Sequence, residues 1–211
     1  VRVMKGQFGP YIKYKSLNAT IPEEKDPNEI TMEEALILIE KRKEYDKNKK
    51  KKRKKKWKIM SIEEKIKELN IKLPDPKDPV GTYVASKIVG NLLYISGQIS
   101  MDDKGVLIKG KVGKDLDVNQ GYEAAKRCGL AIISQVKKAC GNDLSKVKSC
   151  VKLTGYVNST DDFTDQPKVI NGASEIIAKI FDDKGLHTRA AISSNSLPLG
   201  VAVEVDAIFE I

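Results

Sequence analysis

The stretch GVAVEVDAIFEI, residues 200–211, closes the chain with a regular alternation of residue types. Every second position holds an apolar side chain: Val201, Val203, Val205, Ala207 and Phe209. The positions between them include three carboxylates. Because successive side chains of a strand point to opposite faces of a sheet, the pattern predicts a strand with one face in a core.

The residues upstream of this strand supply the rest of a sheet and its helices. A hairpin of two strands is indicated by the turn Gly90-Asn91, and two helices and one more strand follow it. The predicted ranges are 82–99 for the hairpin, 118–140 and 165–181 for the helices, and 147–158 for the strand. The order β-β-α-β-α-β predicts an α+β domain, with a mixed sheet and two helices packed on one face.

A smaller piece precedes this domain. Residues 1–21 predict short strands separated by turns, and Thr31 with Glu34 forms a capping box at the start of a helix. The helix runs into KNKKKKRKKKWK, residues 47–58, whose like charges repel one another. We therefore expect a disordered linker over residues 44–59.

A second capping box, Ser61 with Glu64, restarts the regular structure after the linker. The predicted domains are therefore residues 1–43 and 60–211, with the lysine-rich linker between them. The whole positive excess of +9 lies in the part of the chain before residue 60. Residues 1–59 hold 18 basic and 9 acidic residues, whereas residues 60–211 hold 20 of each.

The basic segment is the part of the chain that favours nucleic acid. We expect any non-specific DNA contact to come from its cations, among them Lys50, Lys52, Arg53 and Lys55. Tyr45 and Trp57 could stack on bases there, although residues of a disordered tail are the simpler interpretation.

The cysteines and the histidine of the chain indicate the redox compartment and the kind of metal site that can be expected. Cys128, Cys140 and Cys150 form no CxxC spacing, and we interpret them as buried free thiols of a reducing cytoplasm. With His187 as the single histidine, we expect no zinc site and no cofactor. No apolar run of membrane-spanning length and no secretory signal pattern occur, and a start at Val1 suggests a longer parent chain.

Residues 1–43 resemble the C-terminal repeat of bacterial type IA DNA topoisomerases. The resemblance rests on GQFGPYIKY, NATIP and EITMEEALILIE, and it extends into the lysine-rich tail to residue 58. Such tails bind DNA, but the nucleophilic tyrosine and the metal-binding acidic residues of those enzymes have no counterpart here. The resemblance therefore implies no topoisomerase activity.

Residues 61–211 resemble the reactive intermediate deaminase family, also called Rid, YjgF or endoribonuclease L-PSP. The matching blocks are GNLLYISGQI, VKLTGYVNSTDDFTDQPKVINGAS and TRAAISSNSLPLGVAVEVDAI. The resemblance implies a chorismate-mutase-like fold and a homotrimer with clefts between subunits. It also implies hydrolysis of enamine and imine intermediates, such as 2-aminoacrylate, to a 2-oxo acid and ammonia. Met60-Ser61 would be the natural start of such a protein, so the lysine run marks a junction.

The resemblance also implies roles for individual residues. Arg189 would clamp the substrate carboxylate, because a guanidinium keeps its charge and can bond both carboxylate oxygens. Glu204 would accept a proton from the attacking water or orient it. Tyr83, Ser96 and Asn171 match positions that line the family cleft.

Other interpretations of the same residues stay open. Gly97 is better explained by a close backbone approach than by chemistry, and His187 by a structural role than by catalysis. Ala191 stands where many family members have a cysteine, which leaves the preferred substrate open. The alternative functions are a nucleic-acid-binding or ribonuclease-type protein and a non-catalytic trimer that binds a metabolite.

Overall fold

The computed structural model describes residues 1–6, 9–22, 24–56, 60–79 and 81–211. The chain divides into two compact units, residues 1–59 and 60–211, each with its own hydrophobic core.

The first unit is a three-stranded antiparallel sheet followed by a helix. Its elements are β1 (Arg2–Gly6), β2 (Gly9–Tyr14), β3 (Leu17–Thr20) and α1 (Met32–Lys56). The predicted capping box is present, since Glu34 N donates to Thr31 Oγ1 and Thr31 N donates to Glu34 Oε2. One apolar stripe of α1 packs on the sheet, and the shared core consists of Ile12, Ala19, Ile21, Ala35 and Ile39.

The lysine-rich segment differs from the prediction. We expected residues 44–59 to be disordered, but α1 continues through Lys56. Lysine has a high intrinsic helix propensity, and a helix that has already been nucleated adds each further residue at little cost. Helix propensity therefore outweighs the self-repulsion of the charges in this segment. Trp57 lies outside the described residues, as do the side chains of Lys50, Lys52, Arg53 and Lys55.

The second unit begins with the predicted capping box, in which Glu64 N donates to Ser61 Oγ and Ser61 N donates to the Glu64 carboxylate. Its short helical segments include the helix α2 (Ile62–Glu68) and a 3₁₀ turn at Asp182–Gly185. The main elements are β4 (Ser86–Val89), β5 (Leu92–Ile99), α3 (Val118–Ala139), β6 (Ser149–Asn158), α4 (Gln166–Phe181), β7 (Thr188–Ser194) and β8 (Val203–Glu210).

The five strands form one mixed sheet in the order β4-β5-β8-β6-β7. Neighbouring strands are antiparallel except for β6 and β7, which run parallel. Helices α3 and α4 cover one face, which we call the covered face. The apolar positions of β8 point to it as predicted, and Val203, Val205, Ala207 and Phe209 are buried there. The predicted α+β class and the packing of both helices on one face are confirmed.

Strand β7 was not predicted. Its sequence, TRAAISS, lacks a regular apolar alternation, and it lies at the edge of the sheet with a partner on one side. It is held by β6, with Arg189 opposite Leu153 and Ile192 opposite Tyr156. Arg189 therefore lies within an edge strand.

Two further predictions concern burial and membranes. Cys128, Cys140 and Cys150 are all free and buried, as predicted. In the part of the chain that the structure describes, no helix combines the length and the apolar character needed to cross a membrane.

Candidate functional site

The sheet has a second face, which we call the open face, opposite α3 and α4. Strand pairing assigns residues to it, because directly paired residues point to the same side. Glu204 pairs with Tyr156, which pairs with Ile192, so these three residues share the open face. Leu153 is buried in the core and pairs with Arg189, so Arg189 points to the covered face.

The side chain of Arg189 is held by three acceptors. Its Nη1 donates to Asn171 Oδ1 at 2.8 Å and to Ser174 Oγ at 3.0 Å. Its Nη2 donates to the carbonyl oxygen of Pro167 at 3.3 Å. A guanidinium has five N–H donors, so the Nε–H and one N–H of Nη2 have no acceptor among the described residues. Those two donors suit the two oxygens of a carboxylate.

Helix α4 supplies all three acceptors. Pro167, Asn171 and Ser174 follow the spacing i, i+4, i+7, which places them on one face of a helix. That face lies against β7 at the edge of the sheet, where the Arg189 side chain emerges. The family resemblance had singled out Asn171 and Arg189, and the structure brings them into direct contact. Ser174 was missed, because a helical serine near an arginine in sequence carries no signal of its own.

Glu204 lies in the middle of the sheet, on the open face. Its carboxylate rests on the backbone of Gly97, and a Cβ atom added at Gly97 would lie 1.9 Å from Oε1. The predicted close approach at Gly97 is therefore confirmed. Burial, and secondarily the charge of Asp206, raises the pKa of the Glu204 carboxyl above its ordinary value of 4.5. A carboxylate in this position is a stronger proton acceptor than an exposed one.

Gly97 belongs to an irregular part of β5. The register of β5 against β8 shifts between Ile95 and Gln98, which is the mark of a β-bulge. Ser96 lies in this bulge and its hydroxyl donates to the carbonyl oxygen of Val84 at 2.7 Å. That bond ties the segment around Tyr83 to the bulge, and the Tyr83 side chain is 60% exposed.

The candidate residues thus form two groups. One group, at the covered face beside α4, consists of Arg189, Asn171 and Ser174, and we call it the arginine half-site. The other group, at the bulge and the open face, consists of Glu204, Gly97, Ser96 and Tyr83, and we call it the glutamate half-site. Within one chain the sheet separates Arg189 from Glu204, so the two do not meet there.

Ala191 lies on β7 two residues beyond Arg189 and packs against the core from the covered face. The arginine half-site therefore offers a methyl group where many family members have a thiol. The described residues contain no cluster of three or more His, Cys, Asp or Glu side chains that could hold a metal ion.

Comparison with known proteins assigns both parts of the chain. Residues 63–210 match the model of the YjgF/chorismate mutase-like family, and residues 1–50 match the topoisomerase C-terminal repeat. Both resemblances predicted from the sequence are thereby confirmed. The comparisons do not support the DNA contact predicted for the lysine-rich segment.

Individual relatives match the second unit. Protein TCP17 of Trypanosoma cruzi is 41% identical over 151 residues, which are 71% of this chain and 94% of that protein. The 2-iminobutanoate/2-iminopropanoate deaminase of Homo sapiens is 31% identical over 130 residues, which are 61% of this chain and 80% of the deaminase. The crystal structure of protein Atu1372 of Agrobacterium tumefaciens, a protein of unknown function, superposes with a TM-score of 0.66 at 44% identity. It covers 72% of this chain and 94% of its own.

Proposed function

This chain belongs to the YjgF/chorismate mutase-like family, and from that premise we propose that it is an enamine/imine deaminase. Its substrates would be reactive 2-imino acids such as 2-aminoacrylate, and its products a 2-oxo acid and ammonia. Deaminases of 2-iminobutanoate and 2-iminopropanoate are among its relatives at 31% identity. Two features of the site support a deaminase activity for this chain: the arginine half-site and the glutamate half-site.

The arginine half-site carries the proposal. An imino acid presents a carboxylate next to its C=N bond, and an enzyme gains rate by fixing that carboxylate. Arg189 is already oriented by Asn171, Ser174 and Pro167, and two of its donors are left for a ligand. A guanidinium that the protein has oriented in advance loses little freedom when it binds.

The glutamate half-site supplies the proton acceptor. Hydrolysis adds water to the imine carbon, and the carbinolamine formed then releases ammonia to leave a C=O bond. Glu204 passes one proton from the attacking water to the imine nitrogen as the C–O bond forms. It then passes the hydroxyl proton of the carbinolamine to the same nitrogen as the C–N bond breaks, so ammonia leaves and Glu204 is ionised again. Its raised pKa suits both steps, because the same group has to accept and release a proton near neutral pH.

A homotrimer with clefts between its subunits would unite the two half-sites. Arg189 of one copy would then face Glu204 of the next, which the two faces of one sheet prevent within a single chain. The open face also exposes apolar side chains, with exposed fractions of 55% for Val89, 41% for Tyr94 and 46% for Ile192. Exposed apolar side chains of this number on one sheet face favour burial against another copy.

The direct test is an assay in which 2-aminoacrylate is generated in situ from L-serine by an added ammonia-lyase. We expect the protein to accelerate release of the 2-oxo acid above the spontaneous rate. Glu210→Gln is a matched control, since Glu210 lies on the same strand and face as Glu204 but bonds to Asn91 and Ser149. Loss of activity in Arg189→Ala and in Glu204→Gln, with activity kept in Glu210→Gln, would support the proposal.

The alternatives make different predictions in the same preparation. Binding of a 2-oxo acid without any acceleration would indicate a non-catalytic metabolite-binding trimer. RNA cleavage by residues 60–211 would indicate a ribonuclease. The equal numbers of basic and acidic residues in 60–211 count against the ribonuclease, because RNA binding depends on an excess of positive charge.

A further inference from the structure

A row of hydrogen bonds leads from Arg189 to a backbone carbonyl through two residues that the proposed chemistry does not use. Arg189 Nη1 donates to Ser174 Oγ at 3.0 Å. Ser174 Oγ lies 3.0 Å from His187 Nε2, and His187 Nδ1 lies 2.6 Å from the carbonyl oxygen of Gly185. His187 is the single histidine of the chain.

The chemistry of the two ends fixes the position of every proton in this row. A carbonyl oxygen can only accept, so His187 Nδ1 carries a hydrogen and donates it to Gly185. In the neutral ring Nε2 is then an acceptor, and it receives the hydroxyl hydrogen of Ser174. The Ser174 oxygen keeps its lone pairs for Arg189. Each group therefore donates in one direction and accepts from the other.

The surrounding structure holds the row in place. Gly185 presses directly on α4, since an added Cβ atom would lie 2.7 Å from Ala178 Cα. Its carbonyl is therefore at a fixed distance from the helix that carries Ser174. His187 and Arg189 are two residues apart on an extended segment, so both side chains point towards α4.

Burial lowers the pKa of His187 below its ordinary value of 6.5, and the charge of Arg189 lowers it further by a smaller amount. Three other charged groups on the adjoining elements have partners elsewhere. Lys184 donates to the carbonyl of Val147, Asp182 pairs with Lys65, and Glu175 accepts from Tyr122.

Lys152 and Thr188 are paired across β6 and β7, and Thr188 donates to the carbonyl of Val151. Asp183, Lys179 and Lys168 are the remaining charges of the 3₁₀ turn and of α4, and Lys168 pairs with Asp165. Arg189 is therefore the charged group that is coupled to His187 by hydrogen bonds.

We propose that Ser174 and neutral His187 are positioning residues that set the orientation of Arg189 for a carboxylate, and that protonation of His187 releases it. The inference rests on the carboxylate clamp of the proposed function. In a protonated ring Nε2 carries a hydrogen and no longer accepts from Ser174. The serine hydroxyl has to turn, and a second positive charge then lies next to the guanidinium. The turned hydroxyl and the repulsion between the two cations displace the guanidinium from the orientation in which its two remaining donors meet the oxygens of a carboxylate.

Because His187 is the single histidine, NMR of a histidine-labelled sample follows it without assignment. We expect the long-range ¹H–¹⁵N spectrum to show hydrogen on Nδ1 and a bare Nε2 at neutral pH. The ¹⁵N resonance of Arg189 Nε, identified by its loss in Arg189→Lys, should shift as the pH falls through the pKa of His187. A ring with hydrogen on Nε2, or an Arg189 signal indifferent to that titration, would overturn the proposal.

Binding of 2-oxobutanoate, a 2-oxo acid with the carboxylate of the products, provides the second readout and is free of spontaneous imine hydrolysis. His187→Phe keeps a ring but removes the acceptor, and Ser174→Ala removes the hydroxyl. Each should weaken binding at neutral pH by roughly tenfold, the effect of one lost hydrogen bond to a charged group. His187→Gln, whose amide oxygen can accept from Ser174, should stay within about threefold of the unmutated protein.

Ser134→Ala is the matched control, since Ser134 is also a helical serine with a hydrogen-bonded hydroxyl, but it lies on α3 and donates to the carbonyl oxygen of Pro74. It should bind 2-oxobutanoate normally.

In the unmutated protein, the affinity for 2-oxobutanoate should be full at neutral pH and fall below pH 6.5, whereas His187→Gln should lose this dependence. Unchanged affinity in both His187→Phe and Ser174→Ala would overturn the proposal. Absence of 2-oxobutanoate binding in the unmutated protein would instead count against the proposed function, and the NMR measurement would still decide the positioning role.

Discussion

The residues that hold the guanidinium of Arg189 determine which of its N–H donors remain for a ligand. Its acceptors Asn171, Ser174 and Pro167 occupy three N–H donors and leave two for a ligand. A lysine at the same position would keep the charge but could not satisfy three acceptors and a carboxylate in one plane. We therefore expect Arg189→Lys to lose most deamination of 2-aminoacrylate, by about 100-fold in kcat/KM.

Steady-state kinetics with 2-aminoacrylate would check this, and Arg127→Lys is the matched control. Arg127, on α3, donates to the carbonyl oxygen of Met101 and takes no part in either half-site. Near-normal kcat/KM in Arg189→Lys would show that charge alone suffices and would contradict the planar clamp.

Gly97 supports Glu204 by having no side chain. In Gly97→Ala the new methyl group would meet the carboxylate, with 1.9 Å between Cβ and Oε1 before any adjustment. We expect Glu204 to move away from the bulge and kcat to fall by roughly tenfold or more. A double-mutant cycle with Glu204→Gln would measure the coupling, because Gly97→Ala should add little once the carboxylate is absent. Fully additive losses would contradict the contact.

The raised pKa of Glu204 predicts a pH dependence. The base has to be ionised, so kcat should fall as the pH is lowered through a pKa above 4.5, while the ionised form persists at higher pH. Glu204→Gln should have a low kcat without this acid limb. His187→Gln should keep the limb in kcat, which separates the titration of Glu204 from that of His187.

At the residue scale, the sequence could name candidate residues but not the contacts between them. Arg189, Asn171, Glu204 and Gly97 could be named because each lies in a matching block of sequence. The contact of Arg189 with Ser174, across 15 residues, depends on how β7 lies against α4 and has no signal in either segment.

Among the elements, those with strong periodicity were predicted closely. The alternation of β8 and the apolar faces of α3 and α4 are products of a two-layer core, so pattern and burial coincide. Strand β7 was missed because an edge strand with few buried residues needs no alternation. The extension of α1 through Lys56 was missed because helix propensity outweighed charge repulsion.

The separate cores predict that the second unit folds alone. Among the described residues, its apolar cluster consists of side chains from Ile62 onward, and α2 begins with its own capping box at Ser61. We expect residues 60–211 to have a Tm within about 5 °C of the full chain in thermal unfolding followed by circular dichroism. A larger drop would mean that residues 1–59 contribute to the stability of the second unit.

For the whole molecule, the decisive fact is that Arg189 and Glu204 leave the sheet on opposite faces. Neither the motif blocks nor their spacing could reveal this, because the face of each residue depends on strand register. The register pairs Leu153 with Arg189 and Tyr156 with Glu204, and these two partners on β6 point to opposite sides. A reaction that needs both residues therefore needs two copies of the chain.

This geometry predicts complementation between two inactive variants. In a cyclic trimer each cleft would take Arg189 from one copy and Glu204 from the next. Arg189→Ala and Glu204→Gln should each be nearly inactive as pure trimers. When equal amounts are unfolded together and reassembled, a cleft is intact if its arginine comes from a Glu204→Gln copy and its glutamate from an Arg189→Ala copy. Random assembly gives this combination in about a quarter of clefts, so about a quarter of the unmutated activity should return.

A mixture of Arg189→Ala with Arg189→Lys is the control and should gain nothing. If mixing Arg189→Ala with Glu204→Gln also restores nothing, although light scattering shows mixed trimers, the two residues do not serve one shared cleft.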